Sequence, residues 1–169
     1  MQLVPRDIDD EEPCIRCVMH PLMYSESKGK LKREAVLPPS NTTDVSLLRL
    51  NYTNIDFCIK HGNKLGNDRS NFSALGKITL SDVKEQNAIA GGHGSLCEGI
   101  KADIVYGPMN EGEYVLDRDV YVEDPSVELP MHADLRYNHI ITEGTVQTKM
   151  RKYASELVKH VEIVFSVKS

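Results

Sequence analysis

Tryptophan is absent, and phenylalanine occurs three times in 169 residues. Proteins that stack bases use exposed aromatic side chains set among basic ones, so nucleic acid is a poor fit as a partner. The charge balance agrees: 20 Lys and Arg against 25 Asp and Glu leave −5 at neutral pH. Such a balance excludes capture of polyanions by bulk charge. No run of apolar residues approaches the roughly 18 that a membrane-spanning helix needs. The first dozen residues are acidic and lack the apolar stretch of a secretory signal. A cytoplasmic location without membrane contact is therefore expected. The four cysteines, Cys14, Cys17, Cys58 and Cys97, are read as reduced thiols, because a chain without export has no need of disulfide staples.

What is present suffices for a core. Fifteen Leu, fifteen Val, eleven Ile and three Phe make up about a quarter of the chain, above the ~20% below which disorder is expected. Residues 1–13 carry five carboxylates against Arg6 and end in Pro13, which reads as a mobile acidic leader ahead of a single domain over 14–169. Strands are expected near 45–50, 72–80, 99–106, 114–122 and 131–137 from their apolar alternation or short apolar runs, and 14–23 reads as a short strand or an irregular turn. A helix capped by Thr53 or Asn54 is expected through His61 and stopped by Gly62. A second helix, capped by Ser81, is expected over 82–90, stopped at Gly91-Gly92. The spacing of Val146, Met150, Tyr153, Leu157 and Val161 predicts a longer amphipathic C-terminal helix. The order predicts an α+β fold with a mainly antiparallel or mixed β-sheet, two short helices and one longer C-terminal helix.

Several residue sets carry chemistry. Cys14-Ile15-Arg16-Cys17 is a C-x-x-C pair, which with His93 and Cys97 suggests a zinc-stabilised module; a redox role lacks the following helix that would activate the first thiol. With no standard finger or ribbon spacing, the leading expectation is no metal and no cofactor. The Gly91-Gly92-His93-Gly94-Ser95 segment lacks the Lys-Ser/Thr of a phosphate loop. His132 and Asp134 fall on one strand face by period two, and a carboxylate beside an imidazole suits acid–base work. In an enzyme reading, His20 or His132 acts as acid or base, Arg49 clamps an anion and Asp134 orients the imidazole on a phosphoryl- or carbonyl-containing substrate. Lys28, Lys30, Lys32 and Arg33 form a basic loop that, with the basic face of the last helix, suits an acidic protein partner. Glu111, Glu113, Asp117, Asp119, Glu123, Asp124 and Glu128 form an acidic stretch apart from it.

The motifs His20-Pro21, Ser25 and Ala35-x-x-Pro38, then Val45-Ser46-x-x-Arg49, then Pro130-x-His132-Ala133-Asp134 carry a resemblance. Together they resemble a family of small uncharacterised bacterial cytoplasmic proteins, over about two thirds of the chain. The resemblance implies a bacterial protein that works beside other gene products, a defence-related system among the settings, and it implies no activity. An apolar residue often stands at the position of Asp134 in those proteins. The leading expectation is an accessory or adaptor protein that binds another protein.

Overall fold

Short strands buried on both faces build the centre of the molecule. The computed structural model describes residues 4–110, 113–114, 121–122, 126–142 and 144–167. Its strands are β1 Val4–Pro5, β2 Cys14–His20, β3 Tyr24–Ser25, β4 Lys30–Leu31, β5 Asp44–Arg49 and β6 Asn71–Ile78, followed by β7 Ala102–Tyr106, β8 Met109–Asn110, β9 Glu113–Tyr114, β10 Tyr121–Val122, β11 His132–Tyr137 and β12 Glu162–Ser166. Six of them form one sheet in the order β12-β6-β2-β5-β11-β7, and every pairing in it is antiparallel. The helices are α1 Ile55–Leu65, α2 Leu80–Ala90 and α3 Thr145–Leu157. This is the expected α+β fold, with the longest helix near the C-terminus. Among the described residues no helix is long and apolar enough to cross a membrane.

Directly opposed residues of antiparallel strands share a face. Val45, Leu47, Ala133, Leu135, Ile104 and Cys14 line one face, which α2 and α3 cover through Val83, Ala90, Met150, Tyr153 and Leu157. Ile15, Cys17, Leu48 and Leu75 line the other, which α1 covers through Cys58. The β3–β4 hairpin adds a small cluster of its own, Tyr24 on Val18 and Ala74. It turns at Gly29, whose φ of +59° suits a residue without a side chain.

Local signals place the helix starts. The Asn54 side chain accepts from the Phe57 amide at 2.8 Å. At α2 the cap is Thr79 rather than Ser81, because Thr79 and Asp82 form a reciprocal capping box that Ser81 has no partner to make.

Gly62 does not end the first helix, which runs on to Leu65. It lets the helix press on β6: a Cβ there would sit 2.5 Å from Phe72 Cδ1. The Phe72 ring is buried and stacked on Phe165, so it has little room to yield. Gly62→Ala should therefore lower stability by about 1–3 kcal/mol, against the ~1 kcal/mol that alanine gains in an open helix. A urea midpoint below that of the native protein checks this, and a higher one would remove the packing account.

Two expectations are corrected at the ends of the chain. The C-terminal helix stops at Leu157, passes through a 3-10 turn over Val158–His160 and is followed by β12, which becomes an edge of the sheet. The leader, expected to be solvated and mobile, is tied down. Val4 is 1% exposed, and Asp10 accepts from the Ser81 amide at 2.8 Å while its carboxylate meets Lys84 at 2.6 Å. Most of the expected strand over 114–122 lies outside the described residues; its end, β10, pairs with β1 of the leader.

Candidate functional site

The enzyme reading requires His20, Arg49 and His132 to meet in one cleft, and the register separates them. His132 opposes Leu48, which places it on the α1 face with Ile15. Arg49 opposes Cys14, whose side chain lies in the core on the other face. His20 is six residues farther along β2, opposite Asn71, or roughly 20 Å away at strand rise. Its Nδ1 lies 3.0 Å from the Tyr24 carbonyl, which fastens the turn that follows.

Arg49 is fully buried, and its donors are spent inside the protein. Nε donates to Glu12 Oε2 at 2.6 Å and Nη2 to Glu12 Oε1 at 2.9 Å, a bidentate pair. Nη2 also reaches the Asp7 carbonyl at 2.9 Å, Nη1 donates to the Pro5 carbonyl, and the guanidinium lies 4.8 Å from the centre of the Tyr52 ring. The expected anion clamp is corrected on this ground. The carboxylate that Arg49 holds is Glu12 of its own leader, and the work done is structural.

His132 and Asp134 do share a face, as period two predicts, and both are buried. His132 Nδ1 lies 2.6 Å from the Gly107 carbonyl, so Nδ1 carries the proton and donates. Burial pushes the imidazole down to about 4; the Gly107 contact and Asp44 act against this, while His61 and Arg16 add to it. The ring is neutral at physiological pH. His132 and His61 line one cavity with Cys17, Ser46 and Leu48, and its volume is about 20 Å³. That is room for about one water molecule and none for a substrate.

His61 and Arg16 are neighbours that sequence reasoning did not single out. β2 and β5 pair only at Cys14–Arg49 and Ile15–Leu48, then part. Arg16 bridges the gap: Nε donates to the Ala35 carbonyl at 2.8 Å and Nη1 reaches Ser46 O at 3.5 Å. An arginine within Cys-Ile-Arg-Cys-Val-Met carries no local sign that its strand will lose a partner.

The zinc arrangement does not assemble. Residues three apart on a strand point to opposite faces, and Cys14 packs in the α2–α3 core while Cys17 packs under α1. Burial pushes both thiols up to about 12 and the Cys58 thiol up to about 11, so the thiolate that zinc and redox chemistry need is scarce. Cys97 is buried, and His93 is exposed on the turn after α2. Among the described residues no group of three or more His, Cys, Asp or Glu is placed to hold a metal ion.

The basic loop divides. Lys32 Nζ donates to the Pro21 carbonyl at 2.7 Å, and Arg33 lies 3.4 Å from Glu34. Lys28 and Lys30 stand exposed on the β3–β4 hairpin. On the last helix, Glu156 takes Lys152 and Lys159 at 3.0 Å each, and these two lysines, Lys152 first, hold its carboxyl below the usual range. Gly29, Lys30 and Leu31 then face Val158, Lys159, Val161 and Ile163 across an open groove of about 350 Å³. The floor is apolar and both walls carry a lysine. Of the basic residues named from the sequence, Lys30 of the loop and Lys159 of the turn after α3 line this groove. The acidic residues Glu111 to Asp124 lie outside the side chains described, and Glu128 is exposed.

No family model, curated protein or solved structure matches the chain.

Arg49 is held by Glu12 and by backbone carbonyls, His132 Nδ1 meets the Gly107 carbonyl, and the cavity beside His132 is water-sized. The groove between the hairpin and β12 combines apolar surface with two exposed lysines, Lys30 and Lys159.

Proposed function

We propose that the chain is an accessory, adaptor-like protein that binds another protein and transforms no substrate itself. The observation that carries this is the groove lined by Leu31, Val158, Val161 and Ile163 between Lys30 and Lys159. Apolar floor with a charged rim is the anatomy of a protein-binding surface. Ile163 and Val167, 38% and 58% exposed, extend the apolar patch along the sheet edge. The enzyme reading has lost its convergent residues and the zinc module its paired thiols, which leaves binding as the activity best supported. The motif resemblance adds the setting: a component of a multi-component bacterial system, in the cytoplasm.

Purified from its native host at low salt, the tagged chain is expected to elute from gel filtration with one partner in fixed ratio, read by light scattering and mass spectrometry. Recovery as a bare monomer under those conditions would count against an adaptor role.

A further inference from the structure

Among the described residues the six-stranded sheet has two edges, β7 and β12. At β7 the Asn87 side chain pairs with Ala102 as a neighbouring strand would. Its Oδ1 accepts from the Ala102 amide at 3.0 Å and its Nδ2 donates to the Ala102 carbonyl at 2.8 Å. Tyr153 Oη, donating to the same Oδ1 at 2.6 Å, locks the amide in place. At the opposite edge β12 has β6 on its inner side and, among the described residues, no strand on its outer side. A break in register between Ile163 and Phe165 sets Val164 apart from the ladder, and Ile163 and Val164 are 38% and 37% exposed. An open apolar edge is a template for pairing with another chain, and strand addition is a recurrent way to capture a peptide.

We infer that β12 receives an extended acidic segment of the partner protein as an added strand. This rests on the binding-protein reading above and adds to it the partner's chemistry and its mode of docking. Side chains alternate along a strand, so carboxylates at every second position point toward Lys30 and Lys159 on one face. Apolar side chains between them fall on the opposite face, that of Phe165. Charge selects this occupant. Lys28 and Lys30 are exposed on the hairpin, and Lys159 shares Glu156 with Lys152, so the rim keeps a positive excess. A second copy paired edge to edge about a two-fold axis would bring the same lysines together on one face, whereas an acidic segment neutralises them.

The test uses the complex as purified. A zero-length carbodiimide reagent joins lysine amines to carboxylates, and hydrogen exchange is read with and without the partner. Lys30 and Lys159 are expected to link to Asp or Glu within one short partner segment. The outward-facing amides of residues 162–166 are expected to exchange at least about tenfold more slowly in the complex than in the free chain. A complex that forms with links elsewhere and unchanged exchange at 162–166 would overturn the inference and leave the binding reading intact. Links between two copies of this chain would overturn it in favour of self-pairing. Failure to form any complex would remove the binding reading, and the inference with it.

Discussion

Arg49→Ala is expected to cost about 3–5 kcal/mol of unfolding free energy, because it leaves the Glu12 carboxylate buried without its counter-charge. Both side chains are almost wholly out of water, at 0% and 2% exposure, so the screening that makes surface pairs weak does not apply. The loss extends beyond the pair. Arg49 also donates to the carbonyls of Pro5 and Asp7, so its removal frees the leader that Val4 and Glu12 anchor. Limited proteolysis should then cut within residues 4–12 well before the sheet unfolds. The double variant Arg49→Met with Glu12→Leu should recover most of the loss, since a pair replaced by packed apolar groups leaves no orphan charge. A single variant within ~1 kcal/mol of the native protein, with the leader still resistant, would show that the pair contributes only surface-like energy.

The second large effect is on pH. His132 falls from 6.5 to about 4 on folding, chiefly through burial. The folded state therefore resists a proton that the unfolded chain takes up. Stability from this group is complete above pH 6.5 and declines as the pH falls toward 4, by about 3 kcal/mol in all. Below about pH 4 both states carry the proton and the decline ends. His132→Asn keeps a donor for the Gly107 carbonyl and has no proton to gain, so its stability curve should be flatter between pH 6.5 and 4. Carboxylates titrate in the same range in both proteins, so the comparison lies in the difference between slopes. Parallel curves would mean that His132 is not buried as a neutral ring.

Much of the fold is legible because its signals are local. The alternation in 99–106 and 131–137, the Asn54 cap and the i, i+4 stripe of the last helix each depend on a few consecutive residues, and each is found near its expected place. The same period of two correctly puts His132 and Asp134 on one face. What is not legible is non-local. β12 follows Leu157 and Val161 at helical spacing, and only pairing with β6 across the sheet makes 162–166 a strand. Gly62 reads as a helix stop until Phe72 is seen pressed against it. Arg49 reads as a free cation because its acceptor, Glu12, lies 37 residues away in a leader whose composition suggests solvent. The C-x-x-C pair misleads for a different reason: the spacing that joins two thiols on a loop divides them on a strand. For the groove, the sequence shows the basic loop, and only the fold sets Lys30 of that loop across from Lys159, Val161 and Ile163.

The measurement that bears most directly on the account is recovery of the partner by the Lys30→Glu, Lys159→Glu double variant from the native host. Both lysines are exposed and Lys159 gives up a surface pair with Glu156, so the cost to stability should stay within about 1 kcal/mol, and a circular dichroism spectrum identical to that of the native chain confirms the fold. Reversing two rim charges turns attraction into repulsion, and recovery should fall on the order of tenfold, more steeply at low salt than at high salt. Equal recovery by the native and reversed chains would contradict the assignment of the groove between the hairpin and β12 as the binding surface.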